Sequence, residues 1–431
     1  MTGWVELPLG ELAQLIRGVC YPKIEASSTP RAGYLPILRA TNIRDEGLVL
    51  ETDLVYVPQK YVKAEQHLQP GDIIIGMSSG SKELVGKAAQ LALSWPGACG
   101  AFCAVARCKP GVEPKFVGYF FRSKRCRQLI QAKSSGININ NLRYTDLEQL
   151  PIPVPSLAEQ QCIATAIERR FARLEAGTVA LRRIQAKLSR YKAAVLQAAV
   201  TGRLVPPDPA DEPAADLPNS HPDLPPLPEG WYWASLAAIA DVLAGYAFKS
   251  AAYSTAGFQI VRIGNVERGK LNLAEKPIFV AEIEDRIKEK YLLKPGDILI
   301  TLTGSRRKRD YGFVAMVGDE VGLLLNQRVA RLRFQSQLNP RFFLLALQGD
   351  HFQDRFFQYE TGNVGQGNVR IAALIREAVP VPPLAEQARI VAEVDRRFAA
   401  AGRLEAVIQT TLARAEQLRQ AILARAFTGQ M

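Results

Sequence analysis

One stretch of this chain occurs twice. The segment PSLAEQQCIATAIERRFARLEA beginning at Pro155 returns as PPLAEQARIVAEVDRRFAAAGR beginning at Pro382. The offset of 227 residues holds without a gap from Leu157/Leu384 through Glu159-Gln160/Glu386-Gln387 and Arg169-Arg170-Phe171/Arg396-Arg397-Phe398 to Thr201-Gly202/Thr428-Gly429. It also links Gly3-Trp4 to Gly230-Trp231 and Gly18 to Gly245. Between these anchors the shift drifts: Pro70-Gly71-Asp72 matches Pro295-Gly296-Asp297, and Arg39 and Asn42 match Arg262 and Asn265. Small loop insertions account for the drift. Self-similarity over this length means a tandem duplication, so whatever one half folds into, the other must fold into as well.

Each half reads as a globular segment of some 150 residues followed by a long helix. Apolar runs bounded by turn residues, Ile73 to Ile75 and Ile298 to Ile300 after Pro-Gly-Asp, and Leu35 to Leu38 beside Gln259 to Val261, are β-like. Pro114 to Gln131 and Pro340 to Tyr359 turn helical. The expected domains are 1–155, a mixed α+β segment; 156–203, a helical repeat; 204–229, a linker; 230–382, the second mixed segment; and 383–431, the second helical repeat. The linker carries nine prolines between Pro206 and Pro228, and proline both lacks a backbone donor and disfavours helix before it, so an extended, semi-rigid course is expected.

In the first helical repeat Ile167, Leu174, Leu181, Leu188 and Val195 recur every seven residues, with Ile163, Ile184 and Tyr191 on companion positions. The second runs Val394, Ala401, Ile408, Ala415 and Ile422, with Ile390, Leu404 and Leu418 beside it. This is a coiled-coil seam. Large residues in one copy face small ones in the other's alignment, Leu174 against Ala401 and Leu188 against Ala415, which suits two helices packing on one another. Two helices of an ordinary bundle are the competing reading.

The 431 residues include 54 Lys+Arg against 42 Asp+Glu, a formal charge of +12. An excess of base favours a polyanionic partner, with nucleic acid first. No basic, apolar leader and no run of some 18 apolar residues is present, so a cytoplasmic, soluble protein without membrane contact is expected. Catalytic and cofactor signatures fail one by one. Gly71 to Gly76 has phosphate-loop spacing, but Met77 stands where the lysine belongs. His67, His221 and His351 are too scattered for a zinc pair or a triad. Cys99, Cys103 and Cys108 fall on Leu325, Val329 and Phe334 when the halves are aligned through Pro114/Pro340, which assigns them to core packing rather than metal.

Two variable globular segments, each introduced by Gly-Trp and closed by a helix opening Leu-Ala-Glu-Gln, with Arg-x-x-Asn and Pro-Gly-Asp-Ile in the same order in both, resemble the specificity subunit of type I restriction-modification systems. The resemblance covers essentially the whole chain. It implies an α+β fold of two tandem-duplicated mixed α/β target-recognition domains, each followed by a long helix, the two helices pairing as an antiparallel coiled coil. It implies a non-catalytic subunit that reads a bipartite, asymmetric site on double-stranded DNA and docks two methyltransferase subunits, with restriction/translocase subunits joining that core. S-adenosylmethionine, ATP and Mg would then belong to those partners. A specificity chain for a modification-only or other methylase-nuclease system, and a coiled-coil scaffold, are the alternatives.

Where two half-sites differ, the reading surfaces should differ. After the Gly-Asp strand one half has Ser78 to Lys87, with Lys82 and Lys87, and the other Thr303 to Gly312, with Arg306, Arg307, Lys308 and Arg309. Arginine can hold guanine through two hydrogen bonds while its neighbours hold phosphates, so these six, with Arg39 and Arg262, are the expected DNA contacts. A solvated loop is the plain alternative. Gly136 to Arg143 and Gly362 to Arg370 form a second candidate, although their shared Asn and Arg are more readily a cap at the junction between domain and helix. Glu159, Gln160, Arg169 and Arg170, with Glu386, Gln387, Arg396 and Arg397, are the expected partner contacts.

Overall fold

The computed structural model describes residues 3–44, 47–79, 85–133, 140–214, 224–362 and 365–430. The chain divides into two compact units, Met1–Arg183 with Ile408–Met431, and Ile184–Val407. Unit 1 is discontinuous in sequence, and each unit takes in a piece of the other copy's helix.

In unit 1 a four-stranded antiparallel sheet runs in the order Ala13–Arg17, Cys103–Cys108, Ile73–Gly76, Ala88–Gln90. Ile73, Ile74 and Ile75 are all fully buried, as an uninterrupted apolar strand in the middle of a sheet must be. Ile73 and Ile75 face a core with Phe116, Val117 and Phe120 of the helix Pro114–Arg122, while Ile74 faces a second cluster with Leu38, Cys99 and Val105. A three-stranded sheet, Val55–Pro58, Tyr34–Leu38 and Ala98–Cys99, lies beyond that second face. The helical stretch is two helices, Pro114–Arg122 and Lys124–Lys133, broken at Ser123, whose hydroxyl takes the Phe120 carbonyl as acceptor and receives the Cys126 N–H.

Unit 2 repeats the plan. Its sheet is Ala240–Ala244, Val329–Phe334, Ile298–Thr301, Val314–Met316, and its helices Pro340–Gln348 and Asp350–Gln358 break at Gly349. The second sheet is longer: Tyr253–Ser254, Phe279–Val280, Phe258–Val261 and Leu323–Leu325. In both units the aspartate of Pro-Gly-Asp is buried and held bidentately by an arginine of the neighbouring strand in the sheet. Arg107 donates from Nε and Nη2 to Asp72 at 2.9 and 2.8 Å, and Arg333 to Asp297 at 2.7 and 2.8 Å. The same carboxylates accept the backbone N–H of Gln69 and Lys294, so each closes the turn that starts the central strand. A buried charge left without its partner costs several kcal/mol, which makes the pair a fixed structural pin.

The repeated helices are Leu157–Val200 and Leu384–Ala426. At 1.5 Å per residue, each is a rod of about 65 Å. In unit 1 the end of the second helix, with Ile422, Leu423, Ala426 and Phe427, enters the core beside Ile163, Ile167 and Phe171 of the first. In unit 2 the end of the first, with Val195, Ala199 and Val200, enters beside Ile390, Val391 and Val394 of the second. The segments run antiparallel, with Arg419 on Glu175 at 3.0 Å in unit 1 and Lys192 on Glu405 at 2.6 Å in unit 2. The seam is narrower than the heptad pattern suggested. Ile167, Leu188, Val195, Val394, Ala401, Ile408 and Ile422 are buried, and so are Ile163 and Ile390 beside the domains, but Ile184, Tyr191, Leu404 and Leu418 are exposed. Two helices cover one stripe of each other; a second stripe is covered only where a domain supplies the rest.

The proline-rich segment is anchored in unit 2 where it is described. Asp211 forms a two-point ion pair with Arg389, at 2.9 and 2.5 Å, and Trp233 Nε1 donates to the Pro225 carbonyl. Residues 215–223 lie outside the described residues. Among the described residues, no helix is long and apolar enough to cross a membrane.

Candidate nucleic-acid interface

The segment that follows each central strand is laced to two others through a single residue. In unit 1 Met77 donates its N–H to the Phe102 carbonyl at 2.8 Å and accepts the Leu142 N–H at 2.9 Å. In unit 2 Leu302 does the same, donating to Arg328 at 2.8 Å and accepting from Val369 at 2.9 Å. Beyond that point Ser78–Ser79 pairs with Asn140–Asn141, and Thr303–Ser305 with Gln366–Asn368. Ser78 Oγ and Thr303 Oγ1 donate to Asn141 Oδ1 and Asn368 Oδ1 at 2.5 and 2.8 Å. The two loops singled out in the sequence are therefore neighbours in each unit. Asn141 and Asn368 tie one loop to the other rather than capping the junction with the long helix, and Arg143 and Arg370 instead sit at the N-termini of the short helices Tyr144–Glu148 and Ile371–Leu374.

The four consecutive basic residues of unit 2 lie on this edge and are all exposed. Their turn is built by Asp310, whose Oδ1 accepts the Ser305 N–H at 2.6 Å, and by the Arg309 N–H on the Ser305 carbonyl at 2.8 Å. Arg309 has φ 46°, in the left-handed region, and lays its guanidinium over Phe357 at 5.0 Å. Arg306 approaches Glu360 at 3.4 Å, and Glu360 also accepts from the buried Tyr311 hydroxyl. Burial first, and the Glu360 carboxylate second, push that phenol well above its ordinary range. Arg306 and Arg309 thus brace the loop, whereas Arg307 and Lys308 make no ion pair or side-chain hydrogen bond with a described residue and carry its free charge. In unit 1 Lys82 falls outside the described residues. Lys87 is half-buried where the chain re-enters the sheet at Ala88–Gln90, and its carbonyl accepts the Gly76 N–H.

Arg39 and Arg262 introduce a loop whose asparagine does the structural work. Asn42 Oδ1 accepts the Arg39 N–H and its amide donates to the carbonyls of Val49 and Thr52. Asn265 repeats this with Arg262, Asn272 and Glu275. Of the arginine side chains, Arg39 is half-exposed and paired with Asp53 at 3.1 Å, and Arg262 donates to the Lys276 carbonyl at 2.6 Å.

The Glu-Gln pairs at the heads of the long helices are fastenings within the chain, which corrects their assignment as partner contacts. Gln160 and Gln387 are buried; their Oε1 atoms accept the N–H of Glu113 and Asn339, and their Nε2 atoms donate to Pro155 and Pro382. Trp4 Nε1 donates to Glu159 at 3.0 Å and Trp231 Nε1 to Glu386 at 2.9 Å. Gln160, Gln387 and Glu386 have no surface left for another subunit, while Glu159 is exposed but engaged. Burial raises the Glu386 carboxyl above its usual range, against the pull of Trp231 and Arg389. The repetition of Gly-Trp and Glu-Gln at one offset is the sequence signal for this clasp. Arg396 and Arg397 both hold Glu393, whose pKa they lower to about 2. The first copy has Ala166 at that place, and Arg169 and Arg170 are exposed without an ion pair to a described residue.

Cys99 and Cys103 are buried in the sheets, as the alignment with Leu325 and Val329 requires, and burial holds the Cys103 thiol up at about 12. Among the described residues no group of His, Cys, Asp and Glu is placed to hold a metal ion.

Comparison with known proteins agrees with this duplicated plan. The model of the type I restriction modification DNA specificity domain matches residues 1–180 and again 228–412. A type I restriction enzyme specificity subunit of Salmonella potsdam, StySPI, is 33% identical over all of this chain and 89% of its own length. The EcoKI specificity subunit of Escherichia coli strain K12 is 31% identical over the same shares. Among solved structures, a chain from a study of complex assembly and conformational transition of the type I R-M system superposes with a TM-score of 0.71, covering 100% of this chain and 98% of that one at 21% identity. The HsdS subunit from Thermoanaerobacter tengcongensis gives 0.51, over 100% and 97%, also at 21% identity.

Proposed function

Because this chain belongs to the family of type I restriction-modification specificity subunits, we propose that it reads a bipartite, asymmetric site on double-stranded DNA, one half with each unit, for modification and restriction subunits that carry the chemistry. The observation that carries this reading is the laced edge. Met77 and Leu302 make the same two backbone bonds in the two units, yet the side chains presented around them differ. One scaffold used twice with different exposed chemistry is what two unlike half-sites demand, since phosphate contacts position a protein and base-edge contacts specify.

Arg307 and Lys308 supply phosphate or base contacts in one half, with Arg306 and Arg309 holding the loop in shape. Lys82, Lys87 and Arg39 serve the other half, and Arg262 shapes its loop from within. Modification subunits dock on the long helices, where Ile184, Tyr191 and Leu404 stay exposed in unit 2 and Arg169 and Arg170 are exposed in unit 1. The chain itself catalyses nothing. S-adenosylmethionine, ATP and Mg act in the partners, and the whole assembly works in the cytoplasm.

The test is binding. The full chain, purified with the subunits that accompany it, is mixed with a randomised duplex library, and the bound fraction is sequenced. A split motif with two different halves supports the reading. Binding without sequence preference refutes it.

A further inference from the structure

The carbonyls that anchor Met77 and Leu302 belong to a four-residue turn in each unit, Gly100 to Cys103 and Asn326 to Val329. The turns are closed by the Cys103 N–H on Gly100 at 2.8 Å and the Val329 N–H on Asn326 at 3.2 Å. They lead into equivalent strands, Cys103–Cys108 and Val329–Phe334. At their third position, where the two units superimpose in role and in backbone bonding, the residue is Phe102 in one and Arg328 in the other. We propose that this turn position is a specificity-determining residue of each recognition unit: Arg328 reads a guanine edge in the major groove of one half-site, and Phe102 packs against a thymine methyl in the other. The inference rests on the DNA-recognition reading above and names where on that edge a base is read.

Three independent features single the position out. First, it is held rigidly. The backbone of Gly18 passes so close to the turn that a Cβ there would lie 2.0 Å from the Gly100 carbonyl oxygen, and at Gly245 1.9 Å from that of Asn326. Further bonds, from the Gly18 N–H to Cys103 and from the Gly245 N–H to Val329, pin the same turns. A side chain on so fixed a base loses little freedom on binding.

Second, both side chains are offered to solvent in ways the fold does not require. Phe102 is 70% exposed, on the rim of a cleft of about 1150 Å³ that it shares with Tyr21, Arg39 and Ser78. Arg328 is exposed and makes no ion pair or side-chain hydrogen bond with a described residue. Third, Arg328 has φ 72°. A side chain in the left-handed region is disfavoured relative to glycine, so folding alone would favour glycine here. An unpaired guanidinium kept at a strained turn, bonded through its carbonyl to Leu302 just before the strand that leads into the basic loop of Arg306 to Arg309, has the fork geometry that matches the O6 and N7 acceptors of guanine.

The full chain with its accompanying subunits is compared with Arg328→Gly, Arg328→Lys and Phe102→Ala on a duplex library randomised across both halves. Glycine is at home at φ 72°, so the first variant keeps the turn while removing the head; lysine keeps the charge and loses the fork. Arg328→Gly and Arg328→Lys are both expected to lose between about 5-fold and 150-fold of the preference for guanine at one base pair of one half-site, the range for a bidentate contact. The other half-site stays unchanged. Phe102→Ala loses preference at a thymine of the other half. A preference profile unchanged at every position overturns the proposal. So does a uniform loss of affinity in Arg328→Gly that Arg328→Lys restores, which makes the residue a phosphate contact. A parent chain with no split preference removes the recognition reading itself, and this proposal with it.

Discussion

Phe427 belongs to the second helical repeat, yet it closes the core of unit 1. Its ring is 3% exposed, with ring centroids 5.1 Å from Phe116 and 5.2 Å from Phe120. Truncating a buried phenylalanine to alanine costs about 3–5 kcal/mol, and loss of the two ring contacts places Phe427→Ala in the upper part of that range, at about 4 kcal/mol. That is a large share of the 5–15 kcal/mol that usually separates a domain from its unfolded state. The cysteines give a clean assay, because all six lie in unit 1: Cys20 and Cys162 are exposed, and Cys99, Cys103 and Cys126 are buried. Under native conditions the exposed thiols label at once, and the buried ones only when unit 1 opens. A loss of about 4 kcal/mol raises their labelling roughly a thousandfold. Phe427→Leu, which keeps an apolar side chain, should show less than half that loss. An increase below tenfold in Phe427→Ala would mean that the helix end does not hold unit 1 together, and would refute the view that each unit is completed by the other copy's helix.

Four further outcomes are expected. Arg307→Ala and Lys308→Ala should each weaken DNA binding and lower the salt dependence by about one counterion if they hold phosphates, measured as log affinity against log salt; Arg306→Ala should act mainly by loosening the loop that Glu360 anchors. Gly18→Ala and Gly245→Ala place a Cβ against a backbone oxygen and should cost at least about 1–3 kcal/mol, the range for overpacking, read from urea midpoints. His351, whose ring lies tilted against Trp233 with centroids 4.9 Å apart, is held below its ordinary value by burial and then by Arg355. The unfolded chain therefore takes up a proton near pH 6.5 that the folded one resists, so the stability of unit 2 should fall as pH drops below about 6.5, and His351→Gln should flatten that slope in unfolding followed by tryptophan fluorescence. Glu393 is also shifted down, and loses stability on the same acid side but lower: its stabilising pairing with Arg396 and Arg397 is present above the ordinary carboxylate range and lost as pH falls towards about 2, a loss Glu393→Gln should abolish.

The duplication made most of the fold legible. Once Pro155 was matched to Pro382, the central strands after Pro-Gly-Asp, the paired helices after Pro114 and Pro340 and the core role of Cys99 and Cys103 all followed from local pattern. What stayed hidden depends on contacts between residues far apart in sequence. The Arg107–Asp72 and Arg333–Asp297 pins join strands that no periodicity relates, and the crossing of each helix end into the other copy's unit leaves no mark on either helix alone. The Glu-Gln pair shows the converse error. A repeated polar motif looks like surface, although Trp4 and Trp231, repeated at the same offset, are the partners that fasten it. At the interface, the basic run was visible as charge, but its division into bracing and free residues rests on Glu360 and Phe357, some 50 residues away. Phe102 and Arg328 correspond already in the alignment that pairs Cys103 with Val329, but only the hydrogen bonds to Met77 and Leu302 place them on the laced edge.

The central claim is that this chain gives a DNA-modifying assembly its sequence preference. Base-modification sequencing of DNA from the source cell, with and without the gene for this chain, tests it most directly. The account predicts that methyladenine disappears from one split, asymmetric motif and from no other. An unchanged pattern of methylation in a cell whose partner methyltransferase is active would contradict it.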